Sequence, residues 1–139
     1  MSNSGHSSRT LTEKLGIESG MTLYFASMPK SVQLELKLPK DVTIVDTLLR
    51  EPVDLIHCFS MSRVELKKQF PIFVNSLSSD GMLWVSWPKR TAKLRSNLTE
   101  NLVREIGLAN GMVDVKVIAV DDVWSGLKFV FRVKDRKQV

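Results

Sequence analysis

Few residues in this chain could carry out chemistry. Histidine occurs twice, as His6 in a polar stretch and as His57 inside an apolar run, so a Ser/His/Asp-type nucleophile would have His57 as its only plausible base. His57 and Cys58 are adjacent in what reads as a buried strand; their side chains point to opposite faces, cannot pair with each other, and both read as core. Cys58 is the only cysteine. That excludes an intrachain disulfide and a cysteine-rich metal site, and no two-His or Cys/His spacing suited to zinc is present. A Walker-type phosphate loop is absent too. The basic cluster Lys89, Arg90, Lys93 and Arg95 is the exception. It leaves an apolar strand and precedes a helix start placed at Asn97, the edge where open α/β sheets bind ligands and where a helix dipole favours anions. Trp87 and Trp124 could stack on a ligand there, whereas Trp84, in mid-strand, reads as core.

Three more residues, Ser27, Asp46 and Ser60, each follow a predicted strand. With Trp87, Lys89, Arg90, Lys93, Arg95 and Trp124 they make up the candidate ligand-binding set. The expected partner is an anionic small molecule or an acidic protein. The set includes no catalytic residue, metal ligand or cofactor-specific group.

The elements that position these residues follow from apolar spacing. The run Met82 to Trp87, bounded by an expected Asp80-Gly81 turn and by Pro88, reads as a strand buried on both faces, as in a parallel sheet. Leu11, Leu15 and Ile17 predict a short helical turn, and Met21 to Ala26 a first strand. Ser31 to Leu38 alternates with period two through Val32, Leu34, Leu36 and Leu38. It is assigned as a short helix because the second strand, Val42 to Val45, follows closely and parallel neighbours need a crossover; should the alternation prevail, an extra strand stands here. A connector, Thr47 to Pro52, leads to a central strand, Val53 to Phe59. From Ser62 the stripe Leu66, Phe70, Phe73, Val74, Leu77 predicts an amphipathic helix with a Ser62/Glu65 capping box, kinked or split at Pro71. A fourth helix, Leu98 to Ala109, is expected to be capped by Asn97 with Glu100, buried through Leu98, Leu102, Ile106 and Ala109, and ended by Asn110-Gly111. Two alternating strands close the chain, one through Val113, Val115 and Val117 and one through Leu127, Phe129, Phe131 and Val133. Asp121 to Gly126 is the antiparallel return between them, which puts Trp124 in a loop.

These units predict an α/β three-layer sandwich with a mostly parallel, Rossmann-like sheet of order 2-1-3-4-6-5, its last strand antiparallel. The 139 residues, 43% of them hydrophobic, are enough for one core, taken as a single domain over 10–134 between a polar tail, 1–9, and a basic tail, 135–139. Twenty Lys and Arg against fifteen Asp and Glu give a formal charge of +5, too small an excess to identify a nucleic-acid binder. The start of the chain lacks the apolar core of a secretory signal and no run could span a bilayer, so a cytoplasmic protein is expected.

Val53-Asp54-Leu55-Ile56 and Leu77-Ser78-Ser79-Asp80-Gly81-Met82-Leu83 resemble, respectively, the fourth-motif strand and the Leu-x-Pro-Gly-Gly strand entry of S-adenosylmethionine-dependent methyltransferases. In that family a parallel core is closed by an inserted antiparallel strand. Asp46 stands where the resemblance would place a ribose contact. Over Ser8 to Val133 the chain is also similar to an uncharacterised bacterial family of unknown function, through Leu15-Gly16-Ile17 with Gly20-Met21, Trp84 to Lys89, Leu98-Thr99-Glu100-Asn101 and Val123 to Phe129. The methyltransferase family follows its first strand with a glycine-rich turn, whereas this chain has Ala26-Ser27-Met28-Pro29-Lys30. Met28 and Pro29 are expected to fill the cleft and keep S-adenosylmethionine from binding in the usual mode. The resulting expectation is a non-catalytic binding or regulatory domain, with a divergent methyltransferase-like enzyme as the alternative.

Overall fold

The structure, a computed structural model, describes residues 9–48 and 51–136. Residues 1–8 and 137–139 of the two expected tails, and 49–50 of the expected connector, lie outside the described residues. The elements are α1 (Leu11–Leu15), β1 (Thr22–Ala26), α2 (Lys30–Glu35), β2 (Thr43–Ile44), β3 (Val53–Phe59), α3 (Arg63–Ser76), β4 (Leu77–Pro88), α4 (Glu100–Ala109), β5 (Met112–Ala119) and β6 (Trp124–Phe131). One six-stranded sheet runs β2-β1-β3-β4-β6-β5, the expected order. β1 through β4 are mutually parallel, and β6 is antiparallel to both β4 and β5.

Helices cover both faces. Strand alternation sends Ile56, Cys58, Leu83, Val85, Trp87, Leu127 and Phe129 to one side, where they meet Leu66, Phe70 and Phe73 of α3 and Val103 and Ile106 of α4. Leu23, Leu55, Phe59 and Trp84 face the other side and pack with Leu11 and Leu15 of α1 and Val32 of α2. Trp84, wholly buried, is fixed there by its indole N–H, which donates to the Leu15 carbonyl at 2.9 Å. The segment that alternates like a strand does form the helix α2 at Lys30–Glu35, with Val32 as its one buried residue and Leu34 exposed. The topological need for a crossover outweighs the local period.

Several local expectations fail for identifiable reasons. Asp80-Gly81 is no turn between elements. β4 already begins at Leu77, which pairs with Val53, and a register shift then aligns Leu55 with Met82, so the four residues 78–81 form an excursion within the strand. Gly81 is needed there, since a Cβ would sit 2.8 Å from the Leu77 side chain and 3.0 Å from the Asp54 carbonyl. α3 runs unbroken through Pro71. Lys67 and Pro71 both lie on its exposed side, where water can satisfy the carbonyl that proline leaves free. Ser62 caps α3 by accepting from the Glu65 N–H at 3.2 Å. α4 is capped by Thr99, not Asn97, and buries Val103, Ile106 and Gly107, leaving Ala109 exposed and Leu102 half-buried. The helix sits close to the sheet at Gly107, where a Cβ would overlap the Phe129 ring. β6 starts at Trp124, earlier than expected. In β5, an irregularity between Asp114 and Lys116 leaves Val115 and Val117 exposed, so their face is not the drier one.

Candidate functional site

Because β1, β3 and β4 are parallel, the residues that follow them emerge at one edge of the sheet, and β6 enters at that edge because it is antiparallel to β4. The chain moves from β1 outward to β2 on one side and from β3 outward to β4 on the other. The crevice between the ends of β1 and β3 is therefore the topological switch point, where open α/β sheets bind ligands. A cleft of 360 Å³ occupies it, lined by Ser27, Phe59, Ser60, Met61, Ser62, Glu65, Gln69 and Trp124.

Each wall has a local cause. Ser27 leaves β1 in the left-handed region, with φ 60, a conformation that costs a non-glycine residue about 1 kcal/mol or more. Sharp reversal there is thus achieved without glycine. Met28 packs against the α1/α2 core, and neither it nor Pro29 lines the cleft, which corrects the expectation that the two would fill it. Ser60 continues the β3–β4 ladder by donating its N–H to the Ser86 carbonyl at 2.9 Å, and its hydroxyl turns the chain by bonding to the Ser62 carbonyl at 3.3 Å. Glu65 and Gln69 are one turn apart on α3, so they share a face beside the buried Leu66 and Phe70. Trp124 is not in a loop. It pairs with Pro88 at the start of β6, is 8% exposed, and meets Phe59 edge-on with ring centroids 5.3 Å apart. The apolar floor is therefore Phe59 and Trp124, and among the described residues Glu65 is the only charged side chain lining the cleft.

Behind that floor lies a sealed polar pair. His57 stacks on Phe59 at 4.1 Å, and its Nε2 is 2.7 Å from the Ser86 hydroxyl, with no partner for Nδ1. Burial pushes the imidazole down to about 3, so it is neutral at physiological pH. On the opposite face, Cys58 contacts Gln69 weakly at 3.7 Å, and burial reinforced by Glu65 pushes its thiol up to about 12. Neither is exposed to a ligand in the cleft, so neither can act as base or nucleophile there.

The candidate residues do not all converge. Ser27, Ser60 and Trp124 line the cleft. Asp46, exposed just beyond β2 at the same edge, does not line it. Trp87, 6% exposed, faces the α3/α4 core and is not among the cleft residues. Lys89 donates its N–H to the Val123 carbonyl at 2.7 Å, Arg90 begins a single 3-10 turn, and Lys93 ends it in the left-handed region at φ 59. Arg95 borders a shallower hollow of 320 Å³ with Met61, Ser62, Ser96 and Asn97, next to the cleft across Met61 and Ser62. Asn97 there accepts the Arg63 N–H at 2.8 Å, satisfying the start of α3. Sequence reasoning missed Phe59, Glu65 and Gln69. The readable signal was the pair Glu65/Gln69, one helical turn apart directly after a central strand. Among the described residues no group of His, Cys, Asp and Glu could hold a metal ion, and no helix is long and apolar enough to cross a membrane.

No protein-family model matches the chain, and no curated protein does. Solved structures do. A SAM dependent methyltransferase from Aquifex aeolicus is similar with a TM-score of 0.60 at 14% identity, covering 86% of this chain and 86% of that one. Magnesium protoporphyrin IX methyltransferase from Synechocystis PCC 6803 with bound SAM gives 0.56 at 13%, covering 88% and 74%. Ribosomal protein L11 methylase from Lactobacillus delbrueckii subsp. bulgaricus gives 0.59 at 12%, covering 88% and 75%. The fold is methyltransferase-like and Rossmann-like, as the sequence resemblance implied.

Proposed function

We propose that this chain is a divergent methyltransferase-like protein that binds S-adenosylmethionine, or a nucleoside ligand of similar build, in the switch-point cleft. The observation that carries this reading is the cleft itself, open at the end of β1 beside the left-handed Ser27, with Phe59 and Trp124 as apolar floor and Glu65 as its only charge among the described residues. A lone carboxylate with serine hydroxyls and an amide suits a ligand carrying positive charge, as a sulfonium with an ammonium does, better than an anion. The structural neighbour with bound SAM supports the same choice. If methyl transfer follows, Glu65 is, among the described residues, the cleft side chain suited to take the acceptor's proton, since His57 and Cys58 are sealed away. Calorimetric titration with S-adenosylmethionine tests the reading, with micromolar binding, about −8 kcal/mol, as the expected result.

The second reading, an anion or acidic partner at Lys89, Arg90, Lys93 and Arg95, is favoured by one observation: none of the four makes an ion pair among the described residues. It predicts that Lys89→Ala with Arg90→Ala weakens binding of a sulfate or nucleotide probe without moving the melting temperature. NMR shifts in this loop with such a probe, and silence in the cleft with S-adenosylmethionine, would favour it over the first.

A further inference from the structure

The sheet is covered unequally. α4 lies under β5 and β6 on one face, with Arg104 bonded to Asp114 at 2.9 Å and Gly107 against Phe129. On the opposite face the core that includes α1 and α2 takes in Trp84 of β4 and Trp124 at the start of β6, with Ile118 of β5 packed at its margin. Beyond that margin, the described helix packed most closely on β5 and β6 is α4, on the other face, and Val113, Lys116, Ile118, Lys128 and Val130 are half-buried. Two strands spaced at about 4.8 Å expose a strip roughly 10 Å wide, the diameter of one helix.

The chemistry of the strip is unusual. Register aligns Trp84, Lys128 and Lys116 in one row across three strands, so the two lysines stand directly opposite each other. Like charges in that position destabilise a sheet. Among the described residues neither lysine has an acidic partner. Lys116 instead leans back over the Trp84 ring, its Nζ 6.0 Å from the centroid. Val113 and Val130, paired with each other, flank the lysines on one side, and Ile118 lies on the other. Two unpaired cations framed by aliphatic side chains complement a surface with carboxylates set in an apolar stripe. We propose that this strip seats a helix from a partner protein, amphipathic and acidic, with two carboxylates one turn apart over Lys116 and Lys128 and apolar residues over Val113, Val130 and Ile118.

The test uses the full chain and a capped synthetic helical peptide of about 18 residues, with Glu at i and i+4 inside a Leu stripe. The expected result is a saturable NMR titration confined to Val113, Lys116, Lys128, Val130 and their neighbours. Binding should weaken about tenfold or more in Lys116→Gln/Lys128→Gln, whose unliganded spectrum shows that it is folded. A peptide with Lys in place of Glu should not bind. The proposal is overturned if the Glu peptide leaves these residues unmoved, if the double variant binds it equally well, or if the Lys peptide binds equally. It is likewise overturned if the strip responds only to phosphatidylserine vesicles, which would make it a membrane contact, or if sedimentation shows it closed by a second copy of the chain.

Discussion

The two halves of the sheet face that carries Trp84 solve the problem of polar side chains in opposite ways. Toward β3 the face is roofed by α1 and α2, and the polar residues beneath, His57 and Ser86, are fully buried and bonded to each other. Toward β5 it is open, and Lys116 and Lys128 keep their charges at the cost of facing one another. Trp84 belongs to both halves. Its N–H holds α1 while its ring lies beneath Lys116. A roof makes a charge untenable because desolvation is uncompensated; an open strip tolerates charge but does not neutralise it.

The largest break in this contrast should come from Trp84→Ala, expected to lower stability by about 3–5 kcal/mol in denaturant melts, because it empties a fully buried site and detaches α1. Trp124→Ala should cost less, about 2–3 kcal/mol, since one side of Trp124 borders the cleft. Equal midpoints for the two variants would mean that the roof over Trp84 contributes nothing special.

Acid should act on the roofed half alone. The folded His57 titrates near 3 and an unfolded histidine near 6.5, so between those values the unfolded chain binds a proton that the folded chain does not. Stability contributed by neutral His57 is complete above about pH 6.5 and is lost as pH falls, by about 2 kcal/mol between pH 7 and pH 5. His57→Gln should flatten that slope in urea melts, whatever its own cost. A slope unchanged by the substitution would place the responsible proton elsewhere. On the open half, Lys116→Glu should raise stability slightly, by about 0.5 kcal/mol, by turning a like-charge pair into an opposite one. A lower melting temperature would show that the lysine pair is not in conflict.

Strand order was readable because it depends on global constraints: apolar runs such as Val53 to Phe59, crossovers between parallel neighbours, and a return too short for anything but an antiparallel strand. Even the strand-like alternation in Ser31 to Leu38 gave way to that logic. Local chemistry was less legible. The register shift before Met82 depends on contacts between Leu77, Gly81 and Asp54 that no linear pattern encodes. The turn at Ser27 looked obstructed because Met28 and Pro29 are bulky, but a left-handed serine sends Met28 into the core. The cleft wall was half visible, as Ser27, Ser60 and Trp124. Its charge, Glu65, looked like an ordinary helix-capping residue, because a capping glutamate and a ligand-facing one occupy the same first turn.

The most direct test is the calorimetric titration of the purified chain with S-adenosylmethionine, run beside Glu65→Gln. Glu65 is exposed, so the substitution should leave the fold intact. The wild type should bind with micromolar affinity and Glu65→Gln about tenfold more weakly, the loss expected for one charge-assisted contact. Absence of binding to the wild type, or equal affinity for the two proteins, would contradict that expectation.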